Sequence, residues 1–326
     1  TIIRVTQTAL ARERKRVFGK TRGLWWLLCL VLLLVPQLGY TQPPSRPRHV
    51  VIVSIDGAKP SVVQRAKMEA LNYWIGRGAH TWEAFTVVPS VTLVSHTSML
   101  TGVQPDKHLV DWNDWKPDKG LVKWPTIFAL AKAKGLTTAL FAGKEKFKHL
   151  NVPGTLDAFA VPEYKALTVA QEAAQCLTRL KPNLCFIHFA DPDGAGHKYG
   201  WGSPEQIKSF EEADAALALV MRALQEAKLL ESTTVIVTSD HGGHEKTHGS
   251  TLLDDMQVPW IAFGKGVRPN RSPTRALPSR PNCELGLSRA AGIFARAPGR
   301  PIAPNQGPAE LVSFVFLIEI GLCGTI

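Results

Sequence analysis

The sequence predicts an α/β protein, built as a three-layer α/β/α sandwich around a mostly parallel central sheet. Short runs of apolar and largely β-branched residues recur along the chain and end at glycine or acidic residues. Continuous apolar runs of this length are typical of strands buried on both faces of a parallel sheet. Stretches with helical spacing of apolar residues separate these runs, and such an alternation of strand and helix favours three layers.

The predicted strands, in chain order, are residues 49–55, 138–142, 184–190, 234–239 and 260–264. The predicted helices between them are residues 126–134, 169–180 and 204–229. A shorter helix is expected near Thr92, because Pro89 precedes that segment and Gly102 closes it. Ligands bind beyond the carboxyl ends of the strands in parallel sheets, so the residues that follow the strands are the first candidates for function.

Acidic and imidazole side chains follow three of the predicted strands. Asp56 follows the first strand, Asp193 follows the third, and Asp240 and His241 follow the fourth. Converging carboxylates repel one another and need protons, basic side chains or cations nearby. Histidines interleaved with the carboxylates favour zinc or a similar divalent cation as the stabilising charge.

Local spacing groups the candidate ligands. Asp193 and His197 are separated by a predicted turn rich in small residues, which would let both bind one ion. Asp240 and His241 precede a glycine pair, which ends the strand and frees both side chains to point inward. His248 follows His241 by seven residues across a polar loop and can reach back to the same place. The spacing predicts a cluster that holds two metal ions.

Each candidate also has a simpler structural interpretation. A lone Asp after a strand is more often a turn or helix-capping residue. A lone His, such as His96 or His188, is more often packed or solvated than a metal ligand. The combination of Asp and His at three strand ends, with glycine beside each, favours the metal interpretation over independent turn residues.

Thr92 is the candidate nucleophile. The start of a helix offers unpaired N–H groups and a positive dipole end, which suit a phosphate and stabilise an ionised hydroxyl. A neutral threonine is a poor nucleophile, so it needs a neighbouring base or direct metal coordination. Taken alone, Thr92 is more simply a helix cap, and only the candidate metal ligands favour a catalytic role.

Four blocks of sequence resemble the alkaline phosphatase superfamily, and within it the bacterial form of the type I phosphodiesterase/nucleotide pyrophosphatase branch. The blocks are residues 53–57, 89–102, 193–200, and 239–243 with 248–249. Their order and spacing together carry the resemblance, which extends from about Val50 to Gly264. It implies an alkaline-phosphatase-like fold.

The resemblance also implies two metal sites that combine carboxylates and imidazoles. The first would comprise Asp193, His197 and His248. The second would comprise Asp56, Asp240, His241 and the hydroxyl oxygen of Thr92. In the implied reaction, Thr92 attacks phosphorus in line and forms a covalent phosphothreonine, which water then cleaves.

The chain departs from the pattern of eukaryotic members three residues after Thr92, where Ser95 replaces the usual Asn that contacts a phosphate oxygen. Asn113 and Lys144 are similar to residues of bacterial relatives and are the candidate substitutes, with an ordinary surface-loop role open for each. The sulfatase branch requires a Cys or Ser within a C/S-x-P-S-R motif. The Thr92 segment lacks that motif, so hydrolysis of sulfate esters is disfavoured.

Residues 1–41 are typical of a targeting segment. Six basic residues between Arg12 and Arg22 precede twelve apolar residues, 24–35. Twelve residues suit a signal-peptide core and are short for a bilayer span. The weak cleavage site at 37–39 keeps an uncleaved signal anchor as the alternative. Both interpretations predict an extracytoplasmic location, periplasmic or secreted, with membrane attachment only through such an anchor.

The formal net charge of +11 does not by itself indicate nucleic-acid binding. Residues 1–41 contribute +6, and the remaining +5 is a modest excess that suits anionic phosphate substrates. The sequence has no array of basic and aromatic residues typical of a nucleic-acid surface. The expected partner is therefore a small phosphoester or nucleotide, and the sequence leaves the oligomeric state open.

The chain divides into three predicted segments: the targeting segment (1–41), a metal-dependent phosphoesterase domain (48–265) and an atypical C-terminal segment (266–326). The last segment has seven Arg and eight Pro but no Lys and no Asp. It does not continue the strand and helix pattern, and we expect it to be poorly ordered.

The sequence predicts a two-metal hydrolase, with Zn²⁺ as the expected metal, that cleaves phosphodiester or nucleotide pyrophosphate bonds through a phosphothreonine intermediate. The enzymatic alternatives are a phosphomonoesterase, a sulfatase or a phosphonate hydrolase of the same superfamily. A non-catalytic extracytoplasmic protein that keeps the fold is the alternative of a different class.

Overall fold

The structure, a computed structural model, describes residues 47–269. The predicted phosphoesterase domain at 48–265 lies within this range. The predicted targeting segment at 1–41 and residues 270–326 of the C-terminal segment lie outside the described residues. Between residues 47 and 269, no helix has both the length and the apolar character needed to cross a membrane.

A seven-stranded sheet forms the centre of the described chain. Its strands are β1 (His49–Ile55), β2 (Ala79–Phe85), β3 (Thr138–Ala142), β4 (Ala158–Ala160), β5 (Leu184–Phe189), β6 (Thr233–Thr238) and β7 (Gln257–Gly264). They lie in the order β2-β7-β6-β1-β5-β3-β4, and β7 runs opposite to the other six. The predicted mostly parallel sheet is confirmed. β2 and β4 were not predicted, because edge strands with half-exposed side chains lack a continuous apolar run.

Nine α-helices connect the strands within residues 47–269. They are α1 (Pro60–Val63), α2 (Glu69–Ile75), α3 (Thr92–Thr101), α4 (Pro105–His108), α5 (Ile127–Lys132), α6 (Ala166–Arg179), α7 (Asp191–Tyr199), α8 (Pro204–Glu226) and α9 (Leu253–Met256). Short 3₁₀ turns lie at Pro117–Lys119, Glu145–Leu150 and Leu230–Ser232. The three longer predicted helices are present as α5, α6 and α8, with ends that differ by up to three residues.

Helices cover both faces of the sheet. On β1, Val51, Val53 and Ile55 point to one face, where they join the core formed with α6 and α8. Val50 and Ile52 point to the other face, where they join the core formed with α3 and α5. Successive residues of a strand face opposite sides, so continuous burial along β1 requires a layer on each side. The predicted three-layer α/β/α sandwich is confirmed.

Four parallel strands, β6, β1, β5 and β3, lie side by side and end at the same edge of the sheet. Ser54 of β1 lies level with Thr238 of β6 and with His188 of β5, so the strands end close together. The chain leaves each of these strands directly into a segment that carries candidate site residues. The strand order therefore brings segments distant in sequence to one edge.

The predicted small-residue turn between Asp193 and His197 is wrong, because both residues lie in helix α7. Residues four positions apart share one face of a helix, so the helix itself brings the two side chains together. The glycines serve packing instead of turning. A Cβ atom at Gly196 would lie 2.7 Å from Gln206 Nε2 and 2.9 Å from the Trp201 ring.

Candidate active site and metal centre

Thr92 is the first residue of α3, and Val91, with extended backbone dihedral angles, occupies the N-cap position. The Thr92 hydroxyl therefore does not cap its own helix. Its Oγ1 lies 3.5 Å from His241 Nε2 and 3.4 Å from Lys144 Nζ. The candidate nucleophile thus faces the cluster of predicted metal ligands.

Asp193, His197 and His248 form a first group that could hold a metal ion. Asp193 Oδ1 lies 3.4 Å from His197 Nε2 and 3.6 Å from His248 Nε2. Helix α7 supplies the first two side chains, and the loop after β6 supplies the third. This set is the same as the first predicted metal site.

His241 is the centre of a second group. Its Nε2 lies 3.3 Å from Asp56 Oδ1, 3.3 Å from Asp240 Oδ2 and 4.0 Å from Asp193 Oδ1. Asp56, Asp193 and His241 satisfy the spacing of a possible metal site. Asp193 was predicted for the first site alone, and the structure places its Oδ1 within reach of both groups.

The spacing of these donor atoms can be compared with that of a metal site. Two ligands about 2.0–2.1 Å from a tetrahedral zinc ion lie roughly 3.3–3.4 Å from each other. The distances from His241 Nε2 to Asp56 and Asp240, and from Asp193 to His197 and His248, are 3.3–3.6 Å. The side chains are therefore already close to the separation that a shared ion requires.

The three candidate histidine ligands make the same kind of backbone hydrogen bond. His197 Nδ1 lies 2.9 Å from the carbonyl oxygen of Lys246, and His248 Nδ1 lies 2.8 Å from that of Ser90. His241 Nδ1 lies 2.8 Å from the carbonyl oxygen of Gly242. A carbonyl can only accept, so each Nδ1 carries a proton, and Nε2 is the ring nitrogen that faces the site and could bind a metal.

The carboxylates have oxygen atoms that the protein leaves without a hydrogen bond. Asp56 Oδ1, Asp193 Oδ1 and Asp240 Oδ2 are buried and have no hydrogen-bond partner among the described residues. Buried polar atoms are normally paired, and unpaired buried carboxylate oxygens are costly unless a cation balances them. These are the oxygens that face the histidine Nε2 atoms, so the residues present fit divalent metal ions.

Lys144 forms ion pairs with carboxylates of both candidate metal-binding groups. It follows β3, and its Nζ lies 2.7 Å from Asp56 Oδ2 and 2.5 Å from Asp193 Oδ2. Burial opposes the charge, but Asp56 and Asp193 together raise the pKa of Lys144 above its ordinary value. The side chain therefore places a permanent positive charge beside the Thr92 hydroxyl.

The ionisation of the second group follows from burial and from mutual charge. Burial alone would raise the pKa of Asp56, but Lys144 and a hydrogen bond from His188 hold it well below its ordinary value. Burial and the neighbouring Asp56 carboxylate raise the pKa of Asp240 to about 6. Burial would lower the pKa of His241, but Asp240 and Asp56 raise it to about 9. The negative field of the site thus favours cations.

The pKa of His248 is shifted in the opposite direction to that of His241. Its ring stacks on that of His241 with 3.6 Å between centroids. Burial and the charge of His241 lower the pKa of His248 to about 4. A neutral imidazole is the form that binds a metal, so His248 is ready to act as a ligand at neutral pH.

Asn113 and Ser95 lie near the nucleophile in different roles. Asn113 Oδ1 accepts a hydrogen bond from the backbone N–H of Leu93 at 2.8 Å, which places its amide beside the start of α3. Ser95 is buried, and its Oγ accepts a hydrogen bond from Thr86 Oγ1 at 3.0 Å. Of the two side chains, Asn113 lies at the helix end where a phosphate oxygen would be bound.

His188 and His96 are buried, as expected for packed histidines, but each contacts the candidate site. His188 Nε2 lies 2.8 Å from Asp56 Oδ2, and His96 Nδ1 lies 2.7 Å from the carbonyl oxygen of Thr92. The sequence positions of these two histidines could have indicated that they lie near the site. His96 follows Thr92 by four residues, one helical turn, and His188 lies in the strand that leads to Asp193.

A family model described as type I phosphodiesterase / nucleotide pyrophosphatase matches residues 50–256. This range includes all seven predicted metal-site residues, together with Asn113 and Lys144. It also covers more than half of the chain.

Curated proteins with related names also match the chain. Human ectonucleotide pyrophosphatase/phosphodiesterase family member 1 is 24% identical over 264 residues, which cover 71% of this chain and 27% of that protein. Venom phosphodiesterase 2 of Crotalus adamanteus is 25% identical over 228 residues, 64% of this chain and 28% of that protein. The bis(5'-adenosyl)-triphosphatase ENPP4 of Bos taurus is 25% identical over 219 residues, 61% of this chain and 48% of that protein. The chain spans less than half the length of these three relatives.

Solved structures share the fold at low sequence identity. An inactive variant of murine ectonucleotide pyrophosphatase/phosphodiesterase 5, in complex with AMP, aligns with a TM-score of 0.56 and 16% identity, covering 67% of this chain and 88% of that one. A 2-O GAG sulfatase aligns with a TM-score of 0.58 and 16% identity, covering 78% of this chain and 72% of that one. At these identities the likeness shows the fold alone.

Proposed function

Because the chain belongs to the type I phosphodiesterase/nucleotide pyrophosphatase family of the alkaline phosphatase superfamily, we propose that it is a metal-dependent hydrolase of phosphodiester or nucleotide pyrophosphate bonds. One observation supports this most strongly. Three carboxylates and three imidazoles, whose Nε2 atoms face the carboxylates, converge at the spacing of tetrahedral metal ligands beside the Thr92 hydroxyl.

The donor set fits two divalent metal ions, and its mixture of oxygen and nitrogen ligands without sulfur suits Zn²⁺. The first ion would be held by Asp193, His197 and His248. The second would be held by Asp56, Asp240, His241 and the Thr92 oxygen. When bound, such a pair supplies Lewis acidity and neutralises charge on the transferring phosphoryl group.

Thr92 would form the covalent intermediate. Its Oγ1 would bond to phosphorus as the bond from phosphorus to the leaving oxygen breaks, and water would then break the bond between phosphorus and Oγ1. The hydroxyl must lose its proton to attack, and this proton would pass to solvent while the departing oxygen takes up a proton from solvent. The positive end of α3 and the ammonium group of Lys144, 3.4 Å away, both stabilise the resulting negative charge.

Lys144 and Asn113 would bind the phosphoryl oxygens in place of the Asn that Ser95 replaces. Lys144 already carries its charge next to Thr92 Oγ1. Asn113 is oriented through its Oδ1, so its amide N–H groups are those that can donate to a phosphate oxygen. Both contacts would strengthen as negative charge builds up in the transition state.

The names of the relatives support one substrate class. Their names include nucleotide pyrophosphatase and bis(5'-adenosyl)-triphosphatase, and the murine neighbour was solved with AMP. We therefore propose a nucleotide or another small phosphodiester as the substrate. The basic and apolar composition of residues 1–41 supports an extracytoplasmic location.

The first test is Thr92→Ala. Loss of the nucleophile should lower kcat for bis(4-nitrophenyl) phosphate by about 10³-fold or more, while elemental analysis still finds about two metal ions per chain. Thr101→Ala is the matched control, because Thr101 lies at the other end of α3 and its hydroxyl bonds to the Thr97 carbonyl oxygen. Retained turnover in Thr92→Ala would exclude its role as nucleophile.

The same assay with 4-nitrophenyl phosphate and 4-nitrophenyl sulfate separates the enzymatic alternatives. We expect kcat/KM to be highest for the diester. A preference for the monoester or the sulfate would replace the proposed substrate class, and wild-type protein that neither binds metal nor turns over any of the three would favour the non-catalytic alternative.

A further inference from the structure

His188 is a buried histidine that forms a hydrogen bond with Asp56, a proposed metal ligand. It lies in β5, directly beside Ser54 of the neighbouring strand β1, and its side chain is fully buried. Its Nε2 lies 2.8 Å from Asp56 Oδ2. A carboxylate oxygen accepts, so Nε2 carries the proton and donates it.

The other ring nitrogen supports the same tautomer. His188 Nδ1 is buried and has no hydrogen-bond partner among the described residues. A proton on Nδ1 would be a buried donor without an acceptor, which is costly. The ring is therefore a neutral donor with one hydrogen bond to give, and that bond goes to Asp56.

The two carboxylate oxygens of Asp56 make different contacts. Oδ2 accepts from His188 and pairs with Lys144 at 2.7 Å. Oδ1 has no hydrogen bond and faces His241 Nε2 at 3.3 Å. Rotation of the carboxylate plane away from this orientation would break the contacts of Oδ2 with His188 and Lys144, so these two residues hold the other oxygen toward the second metal site.

A second buried histidine, His96, packs against His188 and restricts the orientation of its ring. Its Nδ1 donates to the Thr92 carbonyl oxygen at 2.7 Å, and its Nε2 accepts from Ser54 Oγ at 2.8 Å. The rings of His96 and His188 meet edge to face with 5.0 Å between centroids, and Phe147 packs on both. The orientation of the His188 ring is thus constrained on more than one side.

We propose that His188 is a positioning residue of the metal centre, which holds Asp56 through its Nε2–H and so fixes Oδ1 as the oxygen available to the second ion. This proposal rests on the proposed function, because it assumes that Asp56 is a metal ligand. Hydrogen-bond partners of metal ligands typically change metal affinity by 10- to 100-fold when they are removed.

Two substitutions of similar polarity test the hydrogen bond. The amide nitrogen of His188→Gln can reach the place of Nε2, whereas that of His188→Asn reaches only the place of Nδ1. Zn²⁺ binding, measured by competition with a chromophoric chelator, should stay within about 3-fold of wild type for Gln. For Asn we expect one of the two affinities to fall by about 10- to 100-fold and the other to remain unchanged.

Ile187→Val is the matched packing control, because Ile187 precedes His188 in β5, is fully buried and points to the opposite face of the sheet. We expect its two Zn²⁺ affinities to equal those of wild type. Equal affinities for the Gln, Asn and wild-type proteins, or a loss in Ile187→Val equal to that in His188→Asn, would overturn the role of His188. Wild-type protein that binds fewer than two ions would instead overturn the proposed function, so the two failures can be told apart.

Discussion

At the scale of single residues, the candidate site is organised by the direction of a few hydrogen bonds. His197, His241 and His248 each give their Nδ1 proton to a backbone carbonyl and turn Nε2 toward a carboxylate. The acceptors are the carbonyl oxygens of three different residues, and each bond directs the same ring nitrogen into the site. This shared arrangement presents Nε2, the nitrogen that would bind a metal, before any ion arrives.

Lys144 is the residue whose removal should separate metal binding from catalysis. In Lys144→Met we expect kcat/KM for bis(4-nitrophenyl) phosphate to fall by about 10²- to 10³-fold, because a positive group beside Thr92 Oγ1 is lost. Zn²⁺ affinity should be equal or higher, because an ammonium group no longer competes for Asp56 and Asp193. Steady-state kinetics and chelator competition measure the two quantities.

Lys148→Met is the control for Lys144→Met. Lys148 lies in the 3₁₀ turn that follows Lys144 and pairs with Glu145 at the surface. Neither kcat/KM nor Zn²⁺ affinity should therefore change in this variant. A large loss of Zn²⁺ affinity in Lys144→Met would contradict the proposed role of this lysine in phosphate binding and indicate that it builds the metal site.

At the scale of elements, the loop from Gly242 to Ser250 carries His248 and is held by Asp255 of α9. The Asp255 carboxylate is buried and accepts hydrogen bonds from His244 Nδ1 at 2.7 Å, from Ser250 Oγ at 2.7 Å and from Ser250 N at 2.9 Å. The Asp255 backbone oxygen also accepts from Gly242 N at 2.8 Å. Asp255 therefore holds both ends of the loop that supplies His248, through its backbone oxygen at Gly242 and through its carboxylate at His244 and Ser250.

Asp255→Asn should destabilise the protein in a pH-dependent manner. Burial alone would raise the pKa of Asp255, but the bonds from His244 and Ser250 lower it below its ordinary value. A depressed pKa in the folded state means that the charged form contributes stability above pH ~4, and that this contribution is lost as the pH falls through the folded pKa. We expect a loss of about 2 kcal/mol in the free energy of unfolding at pH 7 that shrinks below pH ~4.

Urea unfolding at pH 7, 5 and 3.5 measures this difference. Asp254→Asn is the matched control, since Asp254 is half exposed and pairs with Lys59 at the surface, where such pairs contribute little. A difference between wild type and Asp255→Asn that is constant across the three pH values would refute the electrostatic explanation.

At the scale of the whole described domain, the site lies where the edge of the sheet meets both helical layers. Strands β1 and β6 end at Asp56 and Asp240, α3 from one layer presents Thr92, and α7 presents Asp193. Three buried carboxylates at one point oppose folding unless positive charge accompanies them. Stability and cation binding should therefore be coupled in this protein.

Removal of metal should lower the melting temperature of the whole domain. A ligand that binds the folded state at about 100 times its Kd stabilises it by roughly 2.7 kcal/mol per site. We expect Tm, followed by circular dichroism, to fall on dialysis against EDTA and to return with Zn²⁺. Asp193→Asn should lose most of this response, because Asp193 Oδ1 contacts both proposed sites. An identical Tm with and without Zn²⁺ in wild type would exclude structural coupling to the metal.

The sequence was informative about segments and less so about contacts between them. The apolar runs that became β1, β3, β5 and β6 were recognisable because a strand buried on both faces leaves a local pattern. The edge strands β2 and β4 leave no such pattern. Helix α7 was missed because Gly194 and Gly196 are typical of a turn, whereas in the structure they allow α7 to pack closely against its neighbours.

By itself, the sequence determined the α/β class and the family resemblance, and it predicted which Asp, His and Thr side chains would hold metal and attack phosphorus. Only the tertiary structure decided that Asp193 reaches both groups, that Lys144 bridges Asp56 and Asp193, and that His188 orients Asp56. The physical reason is the sequence distance over which each kind of interaction acts. Propensity and hydrophobic periodicity act over a few neighbouring residues, whereas these contacts join residues 48 to 132 positions apart that meet only after the strands have been ordered and packed.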